Sequence, residues 1–153
     1  MASSRRCANL AEHLAMVSAV TDKAAEKLRL GIMLRDIGFI ACSDEVAFRD
    51  DHKPNSNEHT VLGLEIISGL SDELVDAVVR YHHSTLKSSD CPTDLSSDIL
   101  RCVNIALVCN RLEELVYGPD PCPTKEALEA IQAETEGHWP QEEAELLARL
   151  LSN

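Results

Sequence analysis

The stretch SDELVDAVVRYHH, residues 71–83, decides the fold class. Leu74, Val75, Val78 and Val79 recur at the spacing of one helix face, not in the alternation of a strand. Ser71, followed by Asp72 and Glu73, is a start signal: a capping side chain and acids that complement the exposed N–H groups and the dipole of a helix N-terminus. The helix so defined delivers Tyr81, His82 and His83 at its C-terminal end.

The same spacing extends in both directions. Upstream, Leu10, Leu14, Ala15 and Val17 mark a first amphipathic helix, and Thr21-Asp22 break it and cap a second with Ala25, Leu28, Ile32 and Met33, ending at Gly38. From Phe39 to Asn57 the chain turns polar and irregular, with Pro54 and the charged run Arg49-Asp50-Asp51, and Asn55-Ser56-Asn57 stand ready to cap a short helix from Glu58 to Ser68 that Gly69 ends. Downstream, a loop from Ser84 to Asp94 leads to Ser96-Ser97, which cap a long helix through Val116 with Ile99, Val103, Ala106, Leu107, Asn110 and Leu115 along one broad face. Pro123 and Pro140 fit the first turns of two more helices, one running to about Glu134 and the other, with Leu147 and Leu150, to the terminus. This predicts about seven helices, no strand, no repeat and one all-α domain over residues 1–153.

Composition narrows the function. The 153 residues carry 26 acidic and 14 basic side chains, a net charge of −12, with no basic stripe, which argues against nucleic acid as a partner. With 44% hydrophobic but only 3% aromatic residues, the core has to be aliphatic. No apolar run approaches the roughly 18 residues of a membrane span, and Met1 to Arg6 lead into an amphipathic segment without a secretory core, so the expected location is cytoplasmic. Cys7, Cys42, Cys91, Cys102, Cys109 and Cys122 form no CxxC pair and are expected as free thiols. His13, His52 and His138 read as polar surface.

Four segments concentrate chemistry: Arg35-Asp36-Ile37-Gly38 at a helix end, Glu58-His59-Thr60 opening the next helix, Tyr81-His82-His83 closing another, and the stretch from Ala106 to Asn110. Carboxylate and imidazole groups at helix ends are how a helical scaffold gathers metal ligands into one concave site.

In order and spacing these segments resemble the HD-domain superfamily of metal-dependent phosphohydrolases, above all its HD-GYP branch, which hydrolyses cyclic di-GMP, and next the HDOD signalling domains. Leu34-Arg35-Asp36-Ile37-Gly38 is similar to the motif L-H-D-I-G, Glu58-His59-Thr60-Val61-Leu62-Gly63 is similar to T-H-P-x-x-G, and Tyr81-His82-His83 is similar to H-H-E. Ser3 to Ala8 follow H-S-x-R-V-A, Ala106 to Leu112 follow A-D-V-Y-D-A-L, and Gly137-His138-Trp139-Pro140 also fits, so the resemblance covers nearly the whole chain. It implies an HD-type helical fold and a metal site, but Ser3, Arg35 and Leu107 stand where the family has ligands, leaving Asp36, His59, and His82 or His83. Ser84 replaces the Glu after the His pair, Phe39 replaces a Lys, and the Gly-Tyr-Pro element is missing from a short loop like that of HDOD domains.

The expected function is therefore a degenerate, non-catalytic domain in bacterial signalling or protein interaction, without a bound metal, in which Asp36, His59 and His83 still converge. The alternative is a phosphodiesterase working with a reduced ligand set and Fe, Mn or Zn. Between them lies a domain that holds a nucleotide without hydrolysing it, with Arg35, Arg80 and Lys87 as phosphate contacts. Arg35 and Asp36, as helix neighbours about 100° apart, need not touch. The leucine stripes of the first and last helices, Leu10 with Leu14 and Leu146 with Leu147, Leu150 and Leu151, suit the core first and a protein partner or second copy next. The start of the family pattern at Ser3 fits a free-standing domain or one excised from a longer chain.

Overall fold

The computed structural model describes residues 2–42, 58–85, 94–134 and 139–152. They form seven α-helices and no strand: α1 (Ala2–Val17), α2 (Asp22–Leu34), α3 (Glu58–Ile67), α4 (Glu73–Tyr81), α5 (Ser97–Tyr117), α6 (Thr124–Glu134) and α7 (Gln141–Leu151). Short 3-10 turns at Ile37–Ile40 and Ser68–Leu70 follow α2 and α3. None of the helices is long and apolar enough to cross a membrane. The proposed caps at Asn55-Ser56-Asn57, together with Lys87, His52, His138 and Cys91, lie outside the described residues.

The predicted caps hold with local corrections. Thr21 accepts from the Ala24 N–H, and Ser96 from the Ile99 N–H. At α4 the cap is Asp72, not Ser71: its Oδ1 accepts from the Leu74 and Val75 N–H groups at 3.1 and 3.3 Å, while Ser71 takes the left-handed conformation, φ 49°, to turn the chain out of the preceding 3-10 segment. Pro123 and Pro140 sit one residue ahead of their helices instead of inside the first turn.

α5 is the axis of the molecule and packs against α1, α2, α4, α6 and α7. It is buried nearly all round from Cys102 to Leu112, not along one face, because helices surround it; its mixed Leu, Val, Ala and Cys composition is what such a central helix requires. Leu14 and Leu147 are buried in the main core, and Leu10, Leu146 and Leu150 pack against it, so most of both stripes is spent on the fold. Val17 and Leu151 remain exposed. A smaller cluster of Ile67, Val75 and Val79, with Leu34, Ile37 and Leu64 around it, joins the end of α2 to α3 and α4. It lies beside the three helix ends that carry Asp36, His59 and His82.

Polar contacts tie the outer helices to this axis. Arg6 of α1 pairs with buried Glu113 and lies 4.0 Å from the centre of the Tyr117 ring. Arg111 and the Trp139 indole N–H both donate to Glu134, giving Trp139 a structural role. The described cysteines are all free thiols, three of them buried.

Glu143, in the first turn of α7, is buried, and burial pushes its carboxyl up. The folded chain then favours the neutral acid, so this group's contribution is greatest below the ordinary carboxylate range and is lost as pH rises through the raised value. Glu143→Gln is expected to raise the thermal midpoint at pH 7, with the gain closing below about pH 4.5; thermal melts at both pH values check it.

Candidate metal centre

The site begins where α2 stops. The helix expected to reach Gly38 ends at Leu34, with Arg35 as its C-cap and Asp36 at φ −97°, ψ 7°, outside the helix. That is the sparsely populated bridge region, where many site residues sit. The 100° helical offset therefore no longer separates the two side chains, and Arg35 Nε donates to Asp36 Oδ2 at 3.1 Å. The residue order left that contact open; the early helix end makes it.

Gly38 makes the next step. A Cβ there would lie 1.8 Å from the His59 carbonyl oxygen and 2.7 Å from the Gly63 amide nitrogen. Only a residue without a side chain lets the 3-10 turn press against the first turns of α3. This close approach brings His59, 1% exposed, beside Asp36. Phe39 stacks face to face on the His59 ring, 4.3 Å between centroids and 4° between planes, restraining its orientation.

α4 supplies the remaining imidazoles at its C-terminal end. His82, 2% exposed, directs Nδ1 at the Val79 carbonyl at 2.8 Å, a contact only an N–H can satisfy, so Nδ1 carries a proton and Nε2 is the atom turned to the site. Its own carbonyl accepts from Asn110 Nδ2 of α5 at 3.2 Å. His82 Nε2 then faces His59 Nε2 at 3.2 Å and Asp36 Oδ1 at 3.6 Å. His83 is partly buried with Nδ1 4.0 Å from Glu114 Oε1, and its ring lies against both other imidazoles.

One donor atom from each of Asp36, His59, His82 and His83 lies within 4.8 Å of all the others. The expected convergence of Asp36, His59 and His83 is present, and His82 joins them: the pair left open by the sequence contributes both members. Burial alone would raise the Asp36 carboxyl, but the His82 contact and the Arg35 guanidinium outweigh it and hold it ionised, well below the usual carboxylate range. Burial, with His82 and His59 alongside, lowers His83 to about 3, so its imidazole is neutral near pH 7. The neutral His83 imidazole and the ionised Asp36 carboxylate are in the protonation states that metal coordination needs.

The His59 and His82 donors have the separation that one ion would give them. Bonds of about 2.0–2.1 Å from one metal to two imidazoles, at angles between a right angle and the tetrahedral one, separate the nitrogens by about 2.8–3.4 Å, and the 3.2 Å between His59 and His82 lies inside that interval. The backbone anchor on His82 Nδ1 is the outer-sphere support a ligating histidine characteristically has.

Two of the substituted positions, Arg35 and Ser3, meet beside Asp36 Oδ2. Arg35 is 4% exposed, and its Nη2 donates to Ser3 Oγ at 3.4 Å. Leu107 is buried in the main core. Of the proposed phosphate contacts, Arg35 is turned inward onto Asp36 and Arg80 is exposed at the end of α4. Phe39, Val79 and Asn110 were not singled out for the parts they play here; the position of Val79 three residues before His82 was the one signal available.

Comparison with solved structures bears on this arrangement. The chain matches Bd1817, described as a HDG"Y"P protein from Bdellovibrio bacteriovorus, with a TM-score of 0.75 over 99% of its length at 19% identity. The fold is that of an HD-GYP protein. The chain spans about half of Bd1817, 52% of its length. Neither family models nor curated proteins yield a match. Within the HD-type fold, Gly38 and Gly63, the glycines of the two quoted motifs, mark where the two segments touch.

Proposed function

We propose that this chain is a non-catalytic HD-GYP-like domain acting in signalling or protein interaction, and that Asp36, His59, His82 and His83 hold one divalent ion of the Fe, Mn or Zn class. The observation that carries this reading is the one-sidedness of the donor set: three imidazoles gather with Asp36, whose Oδ1 faces His82, while its Oδ2 takes the Arg35 guanidinium, which reaches on to the Ser3 hydroxyl. The missing ligands alone lead to an expectation of no metal, yet four donors remain gathered within 4.8 Å of one another, two of them at the spacing one ion imposes.

A bound divalent ion supplies Lewis-acid charge, and two-metal hydrolysis of a phosphodiester uses a pair of ions to stabilise the attacking and leaving oxygens together. Among the described residues, one such group of ligands is present. His82 is locked in tautomer by Val79, His59 in orientation by Phe39, and Asp36 in charge by Arg35. These are the properties of a binding site. Signalling or interaction then depends on the surface of the HD-type fold, which does not require turnover.

Bis(4-nitrophenyl) phosphate and cyclic di-GMP, each incubated with the protein and excess Mn²⁺ or Fe²⁺, are expected to show no hydrolysis above buffer, while elemental analysis finds about one ion per chain. Hydrolysis that disappears in His59→Ala would establish instead the second reading, a one-ion phosphohydrolase, which the completeness of the single donor set favours.

A further inference from the structure

We propose that the Arg35 guanidinium serves as a built-in second cation. Asp36 bridges between it and the incoming ion, so that the site accepts one divalent ion, holds it less tightly than its donors alone would, and keeps the far side of the carboxylate closed to a second. This deepens the one-ion reading above and rests on it.

Three observations carry the inference. Arg35 carries a permanent charge yet is 4% exposed, and the carboxylate it meets is Asp36, through Nε to Oδ2. The other carboxylate oxygen, Oδ1, is the one that faces His82 Nε2. One carboxylate thus serves two cationic positions, one filled by the chain itself. The guanidinium also has more donors than its surroundings have acceptors: Nη2 reaches Ser3 Oγ at 3.4 Å, and Nη1 is fully buried with no hydrogen-bond partner. The buried Cys7 thiol also lies against the guanidinium, and no carboxylate other than Asp36 pairs with it among the described residues.

Charge gives the consequence. An ion entering among the three imidazoles relies on Asp36 for anionic compensation, and Arg35 has already matched that charge. Ligand charge sets affinity at such sites, and a fixed positive charge on the shared carboxylate lowers it for every divalent ion. A second ion would have to sit against the guanidinium itself, with the Ser3 hydroxyl as its remaining oxygen.

The test uses Zn²⁺ and Mn²⁺ as probes, titrated calorimetrically into chelator-treated, dialysed protein, with stoichiometry from elemental analysis and folding checked by circular dichroism. The parent is expected to bind one ion per chain at saturation with either metal. Arg35→Met, which keeps the length of the side chain and removes its charge, is expected to bind both metals at least tenfold more tightly. The triple variant Ser3→His, Arg35→His, Leu107→Asp is expected to bind more than one. Unchanged affinity in folded Arg35→Met, with the parent still binding one ion, overturns the role of Arg35 and leaves the one-ion reading standing. No uptake by the parent or any variant overturns the one-ion reading itself. If Arg35→Met does not fold, the parent decides: two ions at saturating Mn²⁺ overturn the inference, and one supports it.

Discussion

Gly38→Ala is expected to destabilise the protein by about 3 kcal/mol or more, at the upper end of what overpacking does. The added methyl would meet the His59 carbonyl at 1.8 Å and the Gly63 amide at 2.7 Å, both backbone atoms that no rotamer change can move. Relief requires the 3-10 turn and α3 to part, which separates Asp36 from His59 and opens the small cluster of Ile67, Val75 and Val79. In a chain of this size, such a loss lowers the thermal midpoint by roughly 6–12 °C, and the same variant should bind Zn²⁺ much more weakly than the parent. Gly63→Ala makes a useful comparison, since its Cβ would meet Val79 Cγ1 at 3.3 Å and the Gly38 amide at 3.5 Å, gaps that small shifts can absorb. Denaturant titration and Zn²⁺ calorimetry of the two variants decide the matter. A Gly38→Ala protein within about 1 kcal/mol of the parent would mean that the motif segments do not touch as described.

His59→Ala and His82→Ala are each expected to lower Zn²⁺ affinity by about 100-fold or more, beyond the 10–100-fold typical of losing an outer-sphere partner. Both imidazoles are buried, with Nε2 atoms 3.2 Å apart, so no neighbouring donor can take over either position. Stability offers an independent readout. Free Zn²⁺ at 100 times the dissociation constant should stabilise the parent by about 2.7 kcal/mol and leave both variants nearly unmoved at the same concentration. His13→Ala, on the exposed side of α1, is the control and should behave as the parent. Equal Zn²⁺-induced shifts in the parent and in His59→Ala would remove the candidate site.

Much of this molecule was legible from residue order. Helical spacing marked all seven helices, because burying one face of each leaves a periodic record. Thr21 and Ser96 were readable as caps because a capping side chain acts within three residues of itself. The cap at α4 was misplaced by one residue: Ser71 and Asp72 are both good caps, and the turn from the preceding 3-10 segment placed Ser71 in the left-handed conformation. The broad face read along α5 underestimated its burial, since periodicity records a boundary with solvent and a surrounded helix has none.

The candidate site divides in the same way. Sequence alone named Asp36, His59, His82 and His83 and located the substitutions at Ser3, Arg35 and Leu107, because ligand chemistry resides in residue type. It could not choose between His82 and His83, nor show that Arg35 reaches Asp36. Those answers depend on where α2 stops, on how closely Gly38 lets α3 approach, and on which carbonyl anchors His82. Each is a distance of a few ångströms between segments far apart along the chain. Local propensity and spacing carry no measure of such distances; packing around α5 sets them.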